Sequence, residues 1–229
     1  MTLWLILPVK PFREGKSRLA GWLTPDEREQ INRWLLQRTL RIVSQVPEVD
    51  EVLVVSRDSH VLTVARAWGA RTLYEGSKTD LNGTLNRTAL LLASLRIARM
   101  LVLPVDLPRL TVEDVATLAQ MLKRPLHNPV GRMVIAPDHA RQGTNALGLT
   151  PPRGHTFAFG PGSFWRHVMR AREQGREVHI VERPTLAQDL DWPEDLYLLR
   201  EAFPHLVQRV YEHLAEAQPK TEEAPASGG

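Results

Sequence analysis

The chain has 229 residues, of which 43% are hydrophobic and 24% are charged, proportions ordinary for a globular protein and unlike those of a disordered one. It contains no cysteine, which excludes disulfides and thiolate metal sites. The net charge is only +3, and most arginines stand singly on predicted helices, so we expect no nucleic-acid partner. No segment approaches the ~20 consecutive apolar residues of a membrane span. We therefore expect a cytoplasmic protein with no membrane partner.

Strand-like apolar runs alternate with helical patterns along almost the whole chain, which predicts an α/β fold with a mainly parallel sheet flanked by helices. The predicted strands are 3–9, 51–56, 71–74, 100–105, 133–136, 146–150 and 178–181. The first four predicted helices run from 25 to about 46, from 60 to 68, from 85 to 97 and from 112 to about 122. A fifth follows the loop at 157–163 and ends near 173, and a sixth lies near 205–217. We expect one domain over residues 1–217 and a disordered tail over 218–229, where the residues are small or charged and include prolines.

The loop after the first strand is the first candidate site. Ligands of open parallel sheets gather at the carboxyl ends of the strands, and this loop places several cations there. Gly15–Ser17 spells the end of a P-loop, but the first glycine of that motif would fall at Lys10, so the spacing disagrees. Cations and main-chain N–H groups can hold a triphosphate, although a solvated basic loop that binds nothing is an alternative. The candidate nucleotide-binding residues are Lys10, Lys16, Ser17 and Arg18.

Three aspartates are candidate metal ligands. Asp106 directly follows a continuous apolar strand, where a carboxylate would face the ligand cleft, although it could equally cap a turn. Asp189 and Asp191 lie two residues apart, and in an extended segment two such carboxylates share a face and repel each other, which a cation would relieve. Mg²⁺ needs few carboxylates when phosphate oxygens and waters complete its shell. Asp191 has an alternative role as the N-cap of a helix that Pro193 would open.

Two loops that contain glycine are candidates for binding a second anion. Gly143-Thr144-Asn145 lies in one of them, and Gly160-Pro161-Gly162-Ser163 in the other. Glycine lets the main chain approach an anion closely, and the N–H groups at a helix start favour negative charge. Ser163 could bind a ligand, cap the helix, or do both. The histidines lack the spacing of a zinc site, and no G-x-S-x-G motif is present.

Five sequence blocks together resemble a known family. The blocks LPVKPFREGKSRL, VDLPRL, PDHARQGTNAL, FGPGSFWRH and DLDWPEDL, in this order over roughly residues 3–200, are similar to the guanylyltransferases of coenzyme F420 biosynthesis. That family includes 2-phospho-L-lactate guanylyltransferase and phosphoenolpyruvate guanylyltransferase. The resemblance implies a nucleotidyltransferase fold of the glycosyltransferase-A type, GTP as the donor, a Mg²⁺ cofactor and release of pyrophosphate.

The resemblance also implies roles for individual residues. Asp106 and Asp189 match the family's metal aspartates, and the loop with Lys10, Lys16 and Arg18 matches its nucleotide-phosphate loop, where these three cations would act in catalysis. The implied acceptor contacts are Thr144, Gly160 and Ser163. An L-N-x-A-L block near the base and ribose points to Asn86 as a nucleotide contact, although the block here is one residue longer. Two further departures are Arg141-Gln142-Gly143 in place of a G-T-G start and Trp192 in place of threonine.

The expected reaction is the condensation of GTP with phosphoenolpyruvate, which gives enolpyruvoyl-2-diphospho-5'-guanosine and pyrophosphate. Other acceptors are open alternatives, namely 2-phospho-L-lactate and 3-phosphoglycerate, because these acids differ by little more than planarity or one hydroxyl group. A cytidylyl- or uridylyltransferase of the same fold is a further alternative, and a nucleotide-binding scaffold is the non-enzymatic one. The oligomeric state is open between a monomer and a homodimer.

Overall fold

The computed structural model describes residues 2–76 and 80–217, so the expected tail at 218–229 lies outside the described residues. The strands are β1 Leu3–Pro8, β2 Glu51–Ser56, β3 Arg71–Tyr74, β4 Arg99–Val102, β5 Arg132–Pro137, β6 Thr144–Thr150 and β7 Glu177–Ile180. The α-helices are α1 Pro25–Val43, α2 Ser59–Ala67, α3 Leu81–Ser94, α4 Val112–Lys123, α5 Ser163–Glu173 and α6 Pro204–Ala217. Two 3₁₀ helices cover Ser17–Leu19 and Pro193–Leu199.

The strands form one seven-stranded sheet in the order β3-β2-β1-β4-β6-β5-β7. Strands β1 to β4 pair in parallel, and β6 runs antiparallel to both β4 and β5. The predicted α/β class and mainly parallel sheet are therefore confirmed. None of the helices within the described residues combines the length and the apolar character that a membrane crossing needs.

Helix ends lie where the sequence carries capping residues. The hydroxyl group of Thr24 accepts the N–H of Glu27 while the Glu27 carboxylate accepts the N–H of Thr24, which is the capping box expected at the start of α1. Thr111 and Asp114 form the same arrangement at α4. Helix α3 begins about one turn earlier than predicted, because Asp80 caps it by accepting the N–H of Gly83.

Apolar side chains pack on both faces of the sheet. One cluster joins the sheet to α1, α2 and α4, and a second joins the opposite face to α3 and α5. A third cluster packs the 3₁₀ helices and α6 against the start of α1, and it contains Leu19 and Leu190. This third cluster brings the late part of the chain next to the loop after β1, which decides the geometry of the site.

A buried ion pair joins strands β5 and β7. The guanidinium of Arg132, which is 2% exposed, donates to the Glu177 carboxylate over 2.6 Å and 3.0 Å. Burial favours the neutral form of Glu177, but hydrogen bonds from Arg132 and from two main-chain N–H groups outweigh it and lower the pKa of Glu177 to about 2. Arg132 also donates to the main-chain carbonyl groups of Met121, Arg124 and Pro125.

The variant Glu177→Gln should lower the free energy of unfolding by about 3 kcal/mol at pH 7, because it leaves the buried Arg132 charge without a counter-ion. The folded pKa lies below the unfolded value of about 4.3, so this stabilisation is present above about pH 5 and is lost as the pH falls toward 2. Urea unfolding at several pH values measures the difference between the variant and the wild type, which should shrink over that range.

The matched control is Glu51→Gln, which removes a carboxylate paired with Arg71 in a solvent-exposed position. Exposed pairs contribute at most about 1 kcal/mol. Equal losses for the two variants would contradict the role assigned to the buried pair.

Candidate active site

The site lies at the carboxyl ends of two neighbouring parallel strands. Strands β1 and β4 pair with Ile6 beside Val102, so the loop after β1 and the residues after β4 leave the sheet at the same edge. That edge is where ligands bind in open parallel sheets. The loop after β1 carries Lys16, and the segment after β4 carries Asp106.

Lys16 lies at the centre of the charged cluster. Its main chain has φ 56°, a left-handed conformation that is uncommon for residues other than glycine. Its side chain is only 6% exposed, and Nζ lies 3.1 Å from Oδ2 of Asp106 and 3.7 Å from Oδ1 of Asp191. The structure therefore brings together a cation and two acids that are separated by up to 175 residues of sequence.

The segment with the two late acids is tied to Asp106 through the main chain. The N–H of Leu190 donates to the carbonyl group of Asp106 over 2.9 Å, and the Leu190 side chain is buried in the third apolar cluster. Burial, followed by the charges of Asp106 and Asp191, raises the pKa of Asp189 to about 6. The charges of Asp106 and Asp191 thus act on Asp189 more strongly than the charge of Lys16 does.

Asp191 is held by cations and does not cap a helix. Its Oδ2 accepts from Nη1 of Arg18 over 2.5 Å, and the same guanidinium lies 4.7 Å from the ring centroid of Trp192. The N-cap of the 3₁₀ helix is Trp192, and the carboxylate of Asp195 accepts the N–H groups of Asp191 and Trp192. The N-cap role weighed for Asp191 is therefore wrong, because the N-cap position is Trp192 and the Asp191 carboxylate pairs with Arg18 and Lys16.

The charged cluster contains three carboxylates and the ammonium group of Lys16. The Lys16 ammonium lies between the carboxylates of Asp106 and Asp191, and burial, followed by the charges of these two acids, disfavours the charged form of Asp189. Within residues 2–76 and 80–217, no group of three or more His, Cys, Asp or Glu side chains is arranged to hold a metal ion alone. Two carboxylates completed by phosphate oxygens and waters match the preference of Mg²⁺.

The loop after β1 is fixed by side chains that the sequence patterns did not single out. The buried amide of Asn32 donates to the carbonyl group of Phe12 over 2.7 Å, and a Cβ on Gly15 would lie 2.5 Å from that amide and would displace it. Asp58 accepts the N–H of Phe12. Lys10 and Ser17 are exposed on this loop.

The two glycine-containing loops meet at a pair of hydroxyl groups. Oγ1 of Thr144 and Oγ of Ser163 lie 3.0 Å apart, and both residues are buried. The N-cap of α5 is Gly162, and Ser163 is the first residue of the helix, so Ser163 does not cap it. Gly160 has φ 119°, a conformation that favours glycine, and its carbonyl group accepts the N–H of Ser163.

The loop before β6, which contains Gly143 and Thr144, lies at the same edge of the sheet as the acids. Strand β6 runs antiparallel to β4 with Leu147 beside Val102, so Thr144 at the start of β6 lies near the end of β4. The adjacent residue Asn145 donates from its buried amide to the carbonyl group of Leu186 over 2.8 Å. This bond, which sequence reasoning missed, joins the loop before β6 to the segment that leads to Asp189.

Asn86 contacts the loop before α5. Its Oδ1 accepts the N–H of Phe157 over 3.1 Å, and Asn82 one turn earlier in α3 makes two hydrogen bonds with the main chain of Phe159. Asn86 thus supports the loop that leads to Ser163, and its contact with a nucleotide stays a prediction. Asn82 was not singled out in the sequence.

Curated relatives share most of the chain. This chain is 39% identical over 196 residues to a phosphoenolpyruvate guanylyltransferase of Rubrobacter xylanophilus, a match that covers 86% of this chain and 92% of the relative. It is 34% identical over 191 residues to a 2-phospho-L-lactate guanylyltransferase of Methanothermobacter thermautotrophicus, covering 83% and 81%. The family described as "Guanylyl transferase CofC like" matches residues 3–206.

Solved structures share the fold at low sequence identity. A Methanothermobacter nucleotidyl transferase superposes with a TM-score of 0.62 at 15% identity, over 89% of this chain and 98% of the other. A CMP:2-keto-3-deoxy-manno-octonic acid synthetase in complex with CTP superposes with a TM-score of 0.60 at 15% identity, over 89% and 99%. The expected nucleotidyltransferase fold is confirmed, and the chain belongs to the CofC-like guanylyltransferase family.

Proposed function

We propose that the protein transfers the guanylyl group of GTP to the phosphate of phosphoenolpyruvate, giving enolpyruvoyl-2-diphospho-5'-guanosine and pyrophosphate as a step of coenzyme F420 biosynthesis. The observation that carries this proposal is that two groups of polar side chains lie at one edge of the sheet. One is the Lys16 and Asp106 cluster, and the other is the Thr144 and Ser163 hydroxyl pair. Several relatives named phosphoenolpyruvate guanylyltransferase support the choice of acceptor.

The attacking group needs little activation. A phosphate monoester loses its second proton near pH 6, so the acceptor phosphate is already a nucleophile at neutral pH. The task left to the protein is to hold two anions together and to stabilise the charge that develops in the in-line displacement at the α-phosphorus. This chemistry requires cations and positioned donors, and it requires no dedicated general base.

The cations of the first loop would stabilise the departing pyrophosphate. Lys16 is buried beside Asp106, and Arg18 is held in place by Asp191 and Trp192; Lys10 on the same loop is free to reach the outer phosphates, because it is exposed. Asp106 and Asp189 would hold Mg²⁺, which would supply charge neutralisation at the phosphates. Asp191 is the weaker candidate ligand because its carboxylate already pairs with Arg18.

The acceptor would bind at Thr144, Gly160 and Ser163. The two hydroxyl groups can donate to a phosphate or a carboxylate, and the left-handed main chain at Gly160 leaves no Cβ to hinder the anion. The start of α5 adds main-chain dipoles that favour negative charge. A second acceptor, 2-phospho-L-lactate, is favoured by the Methanothermobacter relative of that name.

Pyrophosphate release tests the proposal. The purified full chain is incubated with Mg²⁺ and each of GTP, ATP, CTP and UTP, crossed with phosphoenolpyruvate, 2-phospho-L-lactate and 3-phosphoglycerate. We expect release to be fastest with GTP and phosphoenolpyruvate. Release from GTP with 2-phospho-L-lactate alone would show that this acid, and not phosphoenolpyruvate, is the acceptor. Release only from CTP or UTP would refute guanylyl transfer.

The variants Asp106→Asn and Asp189→Asn should each lower turnover by orders of magnitude and lower the affinity for Mg²⁺, because each removes a ligand charge while keeping the side-chain size. Asp189→Asn should also unfold at the same or a higher temperature than the wild type, because burial, followed by the charges of Asp106 and Asp191, disfavours the Asp189 carboxylate in the folded protein. Steady-state kinetics at several Mg²⁺ concentrations and thermal unfolding measure the two effects. Partial rescue by raised Mg²⁺ is expected.

Asp191→Asn is the control for these two variants. It breaks a largely exposed pair with Arg18, so we expect a smaller loss of turnover and a change in unfolding free energy below about 1 kcal/mol. Near-normal activity of Asp106→Asn and Asp189→Asn, with unchanged Mg²⁺ dependence, would rule out the two-aspartate site.

The variants Thr144→Val and Ser163→Ala should raise the KM for the acceptor roughly ten- to a hundred-fold, because a hydrogen bond to a charged group contributes about 1.5–3 kcal/mol. The KM for GTP should change much less, since neither hydroxyl is assigned to the nucleotide. Initial rates with each substrate varied separately distinguish the two. A change confined to GTP would show that the acceptor lies elsewhere.

A further inference from the structure

A buried histidine contacts the hydroxyl pair formed by Thr144 and Ser163. His167 of α5 has no exposed surface. Its Nε2 accepts the main-chain N–H of Ala158 over 2.9 Å, and its Nδ1 lies 3.2 Å from Oγ1 of Thr144. Oγ1 of Thr144 lies in turn 3.0 Å from Oγ of Ser163. These contacts form one continuous chain of hydrogen bonds from Ala158 to Ser163.

The Ala158 amide sets the direction of this chain. A main-chain N–H can only donate, so Nε2 of His167 carries a lone pair and the ring proton of the neutral imidazole is on Nδ1. Nδ1–H then donates to Oγ1 of Thr144. Whichever hydroxyl group donates within the Thr144 and Ser163 pair, one hydroxyl hydrogen remains free to donate outside the chain.

We propose that His167 is a positioning residue that keeps the Thr144 and Ser163 pair oriented as a hydrogen-bond donor toward the anionic acceptor. This inference rests on the proposed function for the identity of the acceptor. A histidine with its proton on Nε2 would instead accept from Thr144 and turn that hydroxyl hydrogen away from the acceptor. The tautomer of one buried ring thereby determines whether the pair has a hydroxyl hydrogen to spare for an anion.

The surroundings of His167 hold the ring in this state. Burial, followed by the nearby His155, Arg166 and Arg170, lowers the pKa of His167 to about 3, so the imidazole is neutral at physiological pH. The loop that carries Ala158 is fixed on both sides of it, since Asn86 accepts the N–H of residue 157 and Asn82 accepts that of residue 159. The Ala158 donor therefore stays aligned with Nε2.

The tautomer is measured directly by NMR. Long-range ¹H–¹⁵N correlation spectra of the full chain labelled with ¹⁵N-histidine identify the protonated ring nitrogen, and the His167 signals are assigned by their loss in His167→Asn. We expect the proton on Nδ1. A proton on Nε2, or a charged ring at pH 7, overturns the proposal whatever the enzymatic activity is.

Kinetics test the consequence for the acceptor. His167→Phe keeps the ring packing but removes the donor, and we expect the KM for phosphoenolpyruvate to rise about ten-fold while the KM for GTP and kcat stay within about two-fold. His167→Asn places an amide donor near the position of Nδ1, so it should restore most of the loss. The matched control is His155→Phe, which replaces a buried ring 5.5 Å from His167 that lies outside the chain of hydrogen bonds, and the KM for phosphoenolpyruvate should not change.

The outcomes separate this inference from the proposed function. Equal KM values for His167→Phe and the wild type, or equal defects in His167→Phe, His167→Asn and His155→Phe, overturn the positioning role while guanylyl transfer stands. A wild-type protein that releases no pyrophosphate from GTP with any acceptor overturns the proposed function, and the NMR spectrum then still decides the direction of the hydrogen bonds. If His167→Phe fails to fold, the NMR spectrum and His167→Asn decide.

Discussion

The pairing of Lys16 with Asp106 and Asp191 is the interaction on which the rest of the site depends. Three carboxylates converge at one edge of the sheet, and their mutual repulsion would separate the segments that carry them without a nearby cation. Lys16 supplies that cation from a nearly buried position and in a left-handed main-chain conformation. The main-chain bond from Leu190 to Asp106 and the apolar cluster around Leu190 hold the late segment in place.

Two features of the site raise the free energy of the folded protein, and interactions elsewhere in the fold compensate for them. The left-handed Lys16 and the raised pKa of Asp189 are both unfavourable for the isolated fold. Apolar packing on both sheet faces and buried polar contacts, such as that of Arg132 with Glu177, compensate for them. Under the proposed function, the carboxylates of Asp106 and Asp189 would hold Mg²⁺ beside a triphosphate.

The elements that could be predicted from the sequence are those with a local signal. Apolar runs marked the strands, and Thr24 and Thr111 marked two helix starts. The strand-end rule singled out Asp106, the spacing of two acids singled out Asp189, and a glycine-containing loop singled out Thr144. The start of α3 was placed too late because Asp80 lies next to a polar loop and its cap was not recognised.

The contacts that could not be predicted join side chains to distant main-chain groups. Asn145 donates to Leu186, and His167 accepts from Ala158. Such bonds follow no period of 2 or 3.6 residues, so neither residue stands out in a linear pattern. The capping role weighed for Asp191 is wrong for a similar reason, because its ion pairs with Lys16 and Arg18 join residues that are distant in the sequence.

The most direct measurement of guanylyl transfer follows the oxygen atoms of the acceptor phosphate. Phosphoenolpyruvate labelled with ¹⁸O in its phosphate group is incubated with the enzyme, Mg²⁺ and unlabelled GTP, and the products are separated and analysed by mass spectrometry. Attack of the acceptor phosphate on the α-phosphorus predicts that the full label lies in a guanosine diphosphate diester and that the pyrophosphate is unlabelled. Label in pyrophosphate or in inorganic phosphate, or the absence of any labelled guanosine product, would contradict the account.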